Sequence, residues 1–188
     1  MSRRVCFEFG VHVFELVRFF FGCEPVRIFA HMPRIKAGSK SDDLSVISME
    51  FEDGRAASII LNRVSKGPDR YLELTLDGEE ASIHTSIGGS ASIEFGMNTR
   101  LRRPFAKLRL AKGGLATWQR GNESRIIARE GLNPFAAATA VHLGALIDAL
   151  ETGKEPTGSA RDNRKTLALA LAAYESAEKG CWVDIRND

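Results

Sequence analysis

Cysteine is scarce: the 188 residues hold three, Cys6, Cys23 and Cys181, widely spaced and in no C-x-x-C pair. An odd number of isolated thiols excludes a disulfide framework and argues against a Cys-ligated zinc site. Reduced cysteines fit a cytoplasmic protein, which is the expected localisation. Cys23 and Cys181 flank apolar segments and are expected to be inert, buried thiols. Charge of one sign is also lacking. Twenty-six Lys and Arg against 24 Asp and Glu leave a net +2, too little for a dedicated nucleic-acid or membrane-surface binder. No window of 18 residues is both apolar and uncharged throughout, so no membrane-crossing helix is expected. The apolar N-terminal stretch is interrupted by Glu8, His12, Glu15 and Arg18 and has no small-residue cleavage site, unlike a signal peptide. Missing too is a G-x-G-x-x-G following a strand: Gly88-Gly89 and Gly113-Gly114 have neither the spacing nor the setting of a pyrophosphate cradle.

What is present is an ordinary globular composition, 44% apolar and 27% charged. A chain of this length buries roughly 70% of its unfolded surface, enough for a core without cross-links. No repeat, linker or boundary is visible, so residues 1–188 are expected to form one domain.

Residues 10–21 crowd apolar side chains around His12, Glu15 and Arg18, with Gly22 placed as a C-cap; this predicts a short, mostly buried helix. The period then changes. Residues 25–32, 44–51 and 56–64 are β-branched or alternating, with Glu52-Asp53-Gly54 as a hairpin turn between the last two. Strands are further predicted over 70–76, 81–85, 91–95 and 182–185. Asn133-Pro134 predicts the start of a helix reaching Leu150 and ended by Gly153. Ser159 and Asp162 predict a capping box for a last helix ended by Gly180, buried all round because of its LALALAA run. The order predicts an α+β domain: a mostly antiparallel open sheet with helices packed on one face.

The densest chemical constellation is Glu8-Phe9-Gly10-Val11-His12-Val13-Phe14-Glu15. Spacings of four and three put Glu8, His12 and Glu15 on one helical face. A carboxylate beside an imidazole fixes its tautomer and raises its basicity, which suits a proton shuttle. The plain alternative is a surface histidine whose acidic neighbours serve solubility.

This segment resembles the D-x-G-x-H-x-x-D motif of the Gfo/Idh/MocA oxidoreductases. Gly22-Cys23-Glu24-Pro25-Val26 is similar to the family's entry into the following strand, residues 51–61 to its hairpin, and residues 142–183 to its closing helix pair and strand. Residues 86–132 have no counterpart. The resemblance implies a dihydrodipicolinate-reductase-like C-terminal fold. It also implies the substrate-binding and oligomerisation domain of an oxidoreductase using NAD or NADP on a sugar, inositol or similar polyol. Carried over by position, His12 and Glu8 are the catalytic pair and Glu15 binds substrate. Both carboxylates are Glu where the family has Asp, and an extra methylene moves a charge by roughly 1 Å, a misplacement that can cost about 10²-fold in rate. The family's Rossmann domain and E-K-P motif are absent, so the expectation is a C-terminal piece that holds no dinucleotide alone. Its partners would be a small-molecule substrate and either further copies or a separate nucleotide-binding chain, with neither nucleic acid nor membrane. The rival reading is a non-catalytic binding or assembly module that has lost the redox chemistry.

Between Glu94 and Glu123 there is no acid, while Arg100, Arg102, Arg103, Lys107, Arg109, Lys112 and Arg120 accumulate. A phosphate or nucleic-acid contact and a charged strand edge that discourages pairing are both open, the second favoured by the near-zero net charge. His31, His84 and His142 have no metal-ligand spacing to one another and are expected to be ordinary packed or surface histidines. Tyr174 and Ser176 are expected to serve packing and capping.

Overall fold

The computed structural model describes residues 4–35, 37–66, 72–87, 91–98, 103–110, 114–129, 131, 134–156 and 158–185; for 91–95, 97–98, 103–110 and 134 the backbone alone is described. These residues fall into two compact units, Met1–Lys66 with Ala145–Asp188, and Gly67–Gly144.

In the first unit a π-helical turn, Cys6–Gly10, runs directly into α1, Val11–Phe21. Gly22 ends α1 in the left-handed conformation, its N–H donating to the Arg18 carbonyl at 2.9 Å. Four antiparallel strands follow the order β10-β1-β2-β3: β1 is Arg27–His31, β2 Leu44–Glu50, β3 Ala56–Asn62 and β10 Val183–Asp184. Alternation sorts the faces. Ile28, Ala30, Ile47, Met49, Ile59 and Leu61 point inward and are buried. The opposite face carries the register-matched rows His31, Val46, Ile60 and Phe29, Ser48, Ser58. The β2–β3 turn closes as expected, with Gly54 at φ +85° and its N–H on the Phe51 carbonyl.

α3, Ala160–Lys179, covers the inner face with α1. Leu169, Ala170, Ala173 and Tyr174 are buried there with Phe14 and Val17. Ser176 joins the layers: its hydroxyl accepts the Ala30 N–H at 2.9 Å and donates to the Cys181 carbonyl at 2.6 Å. Leu167 and Leu171 are exposed, so α3 buries one stripe and is not enclosed all round as its leucine run suggests. Cys23 and Cys181 are exposed and Cys6 is the buried thiol, which corrects the expectation for the first two.

The second unit holds the sheet β4-β5-β8-β9 and the separate hairpin β6-β7. Here β4 is Leu72–Asp77, β5 Ser82–Ile87, β6 Ala91–Asn98, β7 Arg103–Leu110, β8 Leu115–Arg120 and β9 Glu123–Arg129, all paired antiparallel. The α+β class with antiparallel strands is therefore borne out, with the strands distributed over three sheets. Of the basic segment, Arg103, Lys107 and Arg109 fall in β7 and Arg120 ends β8, while Arg100, Arg102 and Lys112 lie outside the described residues.

α2, Pro134–Thr152, is ended by Gly153 at φ +66°. Its expected Asn133 cap lies outside the described residues. Phe135–Thr152 is long and apolar enough to cross a membrane by length and composition, with a mean hydropathy of 1.2 and 6% of the stretch buried. Asp148 and Glu151 interrupt its run of charge-free residues, which is why the uncharged-window criterion passed it over.

Candidate functional site

The first unit brings the motif segment to the end of α1 nearest β3. Two buried contacts dictate its backbone. Gly10 is packed so closely that a Cβ there would lie 3.2 Å from both Cys6 Sγ and Leu61 Cδ1 and 3.3 Å from the Phe14 ring. Only glycine lets the helix back directly onto β3. Asp42, fully buried in the segment before β2, accepts the backbone N–H groups of Arg4 at 2.7 Å and Cys6 at 2.8 Å, and the Tyr174 hydroxyl at 3.1 Å. Tyr174 Oη in turn accepts the Phe7 N–H at 3.3 Å. Burial, reinforced by the Asp42 charge, pushes the Cys6 thiol up to about 12 and the Tyr174 phenol well above its ordinary range. Both stay protonated, and Tyr174 stays a hydrogen-bond donor.

The three sequence-predicted residues are held differently. Glu8 sits on the π-helical turn, exposed, with Oε2 2.8 Å from Arg63 Nη1 and Oε1 4.0 Å from Arg4 Nε. The Arg63 guanidinium also lies over the Phe9 ring at 5.6 Å. His12, in the first turn of α1, is exposed, and among the described residues no hydrogen bond or ion pair engages it. Glu15 belongs to another cluster, one turn further along.

That cluster is built on Arg18, whose side chain is 8% exposed. Its Nη1 donates to Glu15 at 2.7 Å and to Thr166 Oγ1 at 2.7 Å, and Nη2 to Asp162 at 2.6 Å. Nε and Nη2 grip Glu24 in a bidentate pair, both at 2.8 Å. Thr166 closes the ring by donating to Glu15 at 2.5 Å. These bonds hold the Glu24 carboxyl below its ordinary range and push Arg18 higher still, against the opposing cost of burial. One guanidinium thereby ties α1, the loop into β1 and the N-terminus of α3. Sequence reasoning named Arg18 only as a break in an apolar run. A lone Arg in such a run, with Glu three before and Glu six after, is the signal that could have found it.

Glu8, His12 and Glu15 are therefore close in sequence but not joined by hydrogen bonds: each carboxylate is committed to an arginine, and the imidazole has no partner among the described residues. Chemically, the exposed imidazole can take or give a proton at a bound hydroxyl, while the Glu8–Arg63 pair, on the preceding turn, offers an acceptor and a donor. His31 is exposed on the outer face of β1, His84 Nδ1 lies 3.0 Å from Thr75 Oγ1, and His142 is exposed on α2.

A dinucleotide does not fit the described residues. Their positive-φ glycines terminate helices or close turns; Gly158, the one before a helix, leads into α3 from a loop rather than a strand, and the Asp162 N–H there is already taken by the Ser159 hydroxyl.

Comparison with known proteins agrees with this anatomy. Residues 2–84 match the model of the GFO/IDH/MocA C-terminal domain. The chain is 26% identical over 187 residues to the D-apiose dehydrogenase of Rhizobium rhizogenes, covering 98% of this chain and 49% of that protein. An oxidoreductase from Agrobacterium radiobacter, solved with NAD+, L-tartaric acid and magnesium, superposes with a TM-score of 0.73 at 21% identity, over 98% of this chain and 50% of that one. The aldose-aldose oxidoreductase of Caulobacter crescentus, solved with glycerol, gives 0.67 at 19% identity, over 96% and 47%. The chain thus spans about half the length of the relatives it matches. The matched segment resembles the C-terminal domain of the GFO/IDH/MocA oxidoreductases, and the rest of the chain shares their fold.

Proposed function

We propose that this chain is the substrate-binding half of an NAD(P)-dependent oxidoreductase acting on a sugar or similar polyol, with His12 as the acid/base. The observation that carries the reading is the contrast within the motif. Its glycine, its carboxylates and its backbone all have partners that hold the segment, and among the described residues the exposed imidazole has none. The D-apiose dehydrogenases among its relatives favour a pentose or another small aldose. In this reading His12 takes the proton from the reacting hydroxyl as it becomes a carbonyl. Glu8, aimed by Arg63, accepts a hydrogen bond from a neighbouring hydroxyl. Glu15 acts through Arg18, fixing the pitch of α1 rather than touching substrate. The nicotinamide would accept the hydride, and residues beyond those described here would have to hold it.

The chain is also proposed to self-associate through the outer face of β1–β3, where Val46 and Ile60, 41% and 68% exposed, lie side by side.

The test is to supply the nucleotide-binding half of a relative, by fusion or in trans, and assay pentose oxidation with NAD and NADP. Turnover is expected, falling about 10²- to 10⁴-fold in His12→Asn with NADH affinity unchanged. Equal rates in the variant would remove His12 from the chemistry. The non-catalytic reading is favoured by one observation, the commitment of both motif glutamates to arginines, and it predicts no turnover in any such pairing.

A further inference from the structure

The strongest unassigned feature is the buried group formed by Asp42, Tyr174 and the backbone of residues 4–7. The start of a helix leaves N–H groups without intrahelical partners, and burying them unsatisfied is costly. Here the acceptors come from far away in sequence. Asp42 lies 38 residues from Arg4 and 36 from Cys6, and Tyr174 lies 167 from Phe7. One carboxylate takes two N–H groups and one O–H, and the phenol takes a third N–H, so the turn carrying Glu8 is held by the segment before β2 and by α3 together.

We infer that Asp42, acting with Tyr174, is a positioning residue for the substrate site: it fixes the turn that carries Glu8 and leads into His12. The inference rests on the reading of His12 as the site's acid/base. Nothing in the motif's spacing points to residue 42, and neither Asp42 nor Tyr174 has to touch substrate. The position of Glu8 follows from theirs because it stands two residues beyond Cys6, whose N–H the carboxylate holds. With Phe14 and Leu61 closing on Gly10, the turn is fixed from behind as well.

Cys6 supplies a reporter, since its thiol is fully buried inside this lock while Cys23 and Cys181 are exposed. The experiment alkylates the full chain with iodoacetamide under native conditions and follows each cysteine by mass spectrometry. It compares wild type, Asp42→Ala, Asp42→Asn and the milder Tyr174→Phe, while the four histidine resonances are recorded during titration with D-apiose. Loss of one buried, charge-assisted hydrogen bond predicts about tenfold or more faster labelling of Cys6 in Tyr174→Phe, with unchanged labelling of Cys23 and Cys181. The His12 response to the sugar should weaken in parallel. Asp42→Asn, which keeps one acceptor oxygen, should restore part of what Asp42→Ala loses. Cys6 as protected in Tyr174→Phe as in wild type would overturn the lock, as would Cys6 labelling only at the rate of global unfolding. Faster Cys6 labelling with an unchanged sugar response of His12 would overturn the positioning role. No sugar response of His12 in the wild-type chain would overturn the functional reading itself, with the Cys6 rates still reporting on the lock.

Discussion

Arg18 is the residue on which the first unit's polar interior depends. It is nearly buried; Glu15 and Asp162 take their charge compensation from it, and Glu24 takes its own from it and from Lys165. Arg18→Met keeps the bulk but leaves Glu15 and Asp162 without a cation and Glu24 with Lys165 alone, and should cost roughly 3 kcal/mol, the low end for breaking a buried pair because the acids are partly exposed. Denaturant unfolding near neutral pH measures it. The sign of the pH dependence follows from Glu24. Its folded pKa lies below the ordinary value of 4.5, so the stabilisation it contributes is fully present above that pH and is lost as pH falls through the folded value. Wild type should therefore weaken on acidification below pH 4.5. Arg18→Met should weaken less, and the gap between the two should narrow. Gly10→Ala makes a steric prediction on the same unit. Three contacts of 3.2–3.3 Å must give, and overpacking of this kind costs about 1–3 kcal/mol. An unchanged urea midpoint would mean that β3 yields freely behind the motif.

At the scale of elements, caps and alternation were legible because they are local. Gly22 and Gly180 end their helices in the left-handed conformation, as their positions suggest. Ser159 caps α3 by accepting the Asp162 N–H at 3.1 Å, and Ser159→Ala should cost about 1 kcal/mol in thermal or denaturant unfolding. The capping box is only half made, since the Asp162 carboxylate turns to Arg18. That choice is set by a residue 144 positions away and is invisible to spacing. The same applies to the motif: a four-residue step was read as α-helical, whereas the turn bearing Glu8 is π-helical, and its carboxylate goes to Arg63, just past the end of β3. β7, β8 and β9 were missed for a different reason. In β7 a basic cluster masked the strand period, as in Ala106-Lys107-Leu108-Arg109, and in β8 and β9 the large apolar residues fall adjacent or singly, as Ile126-Ile127 and Trp118 do, rather than alternating. Asp42 gave no signal at all, because an acid in a Ser-rich loop is ordinary until its partners are known.

The antiparallel α+β class followed from element order, and the family resemblance from the motif together with the pieces that flank it. Self-association is the consequence to test on the intact chain. Ile60→Lys places a charge on the outer face of the edge strand β3, beside Val46, and should convert an associating wild type to monomer in analytical ultracentrifugation, with folding retained. A monomeric wild type would remove that role from the sheet. The most direct measurement of the central claim follows the imidazole resonances of the chain during titration with D-apiose and related pentoses. The account predicts a saturable shift of His12, with His31, His84 and His142 unmoved. No movement of His12, or equal movement of all four histidines, would contradict it.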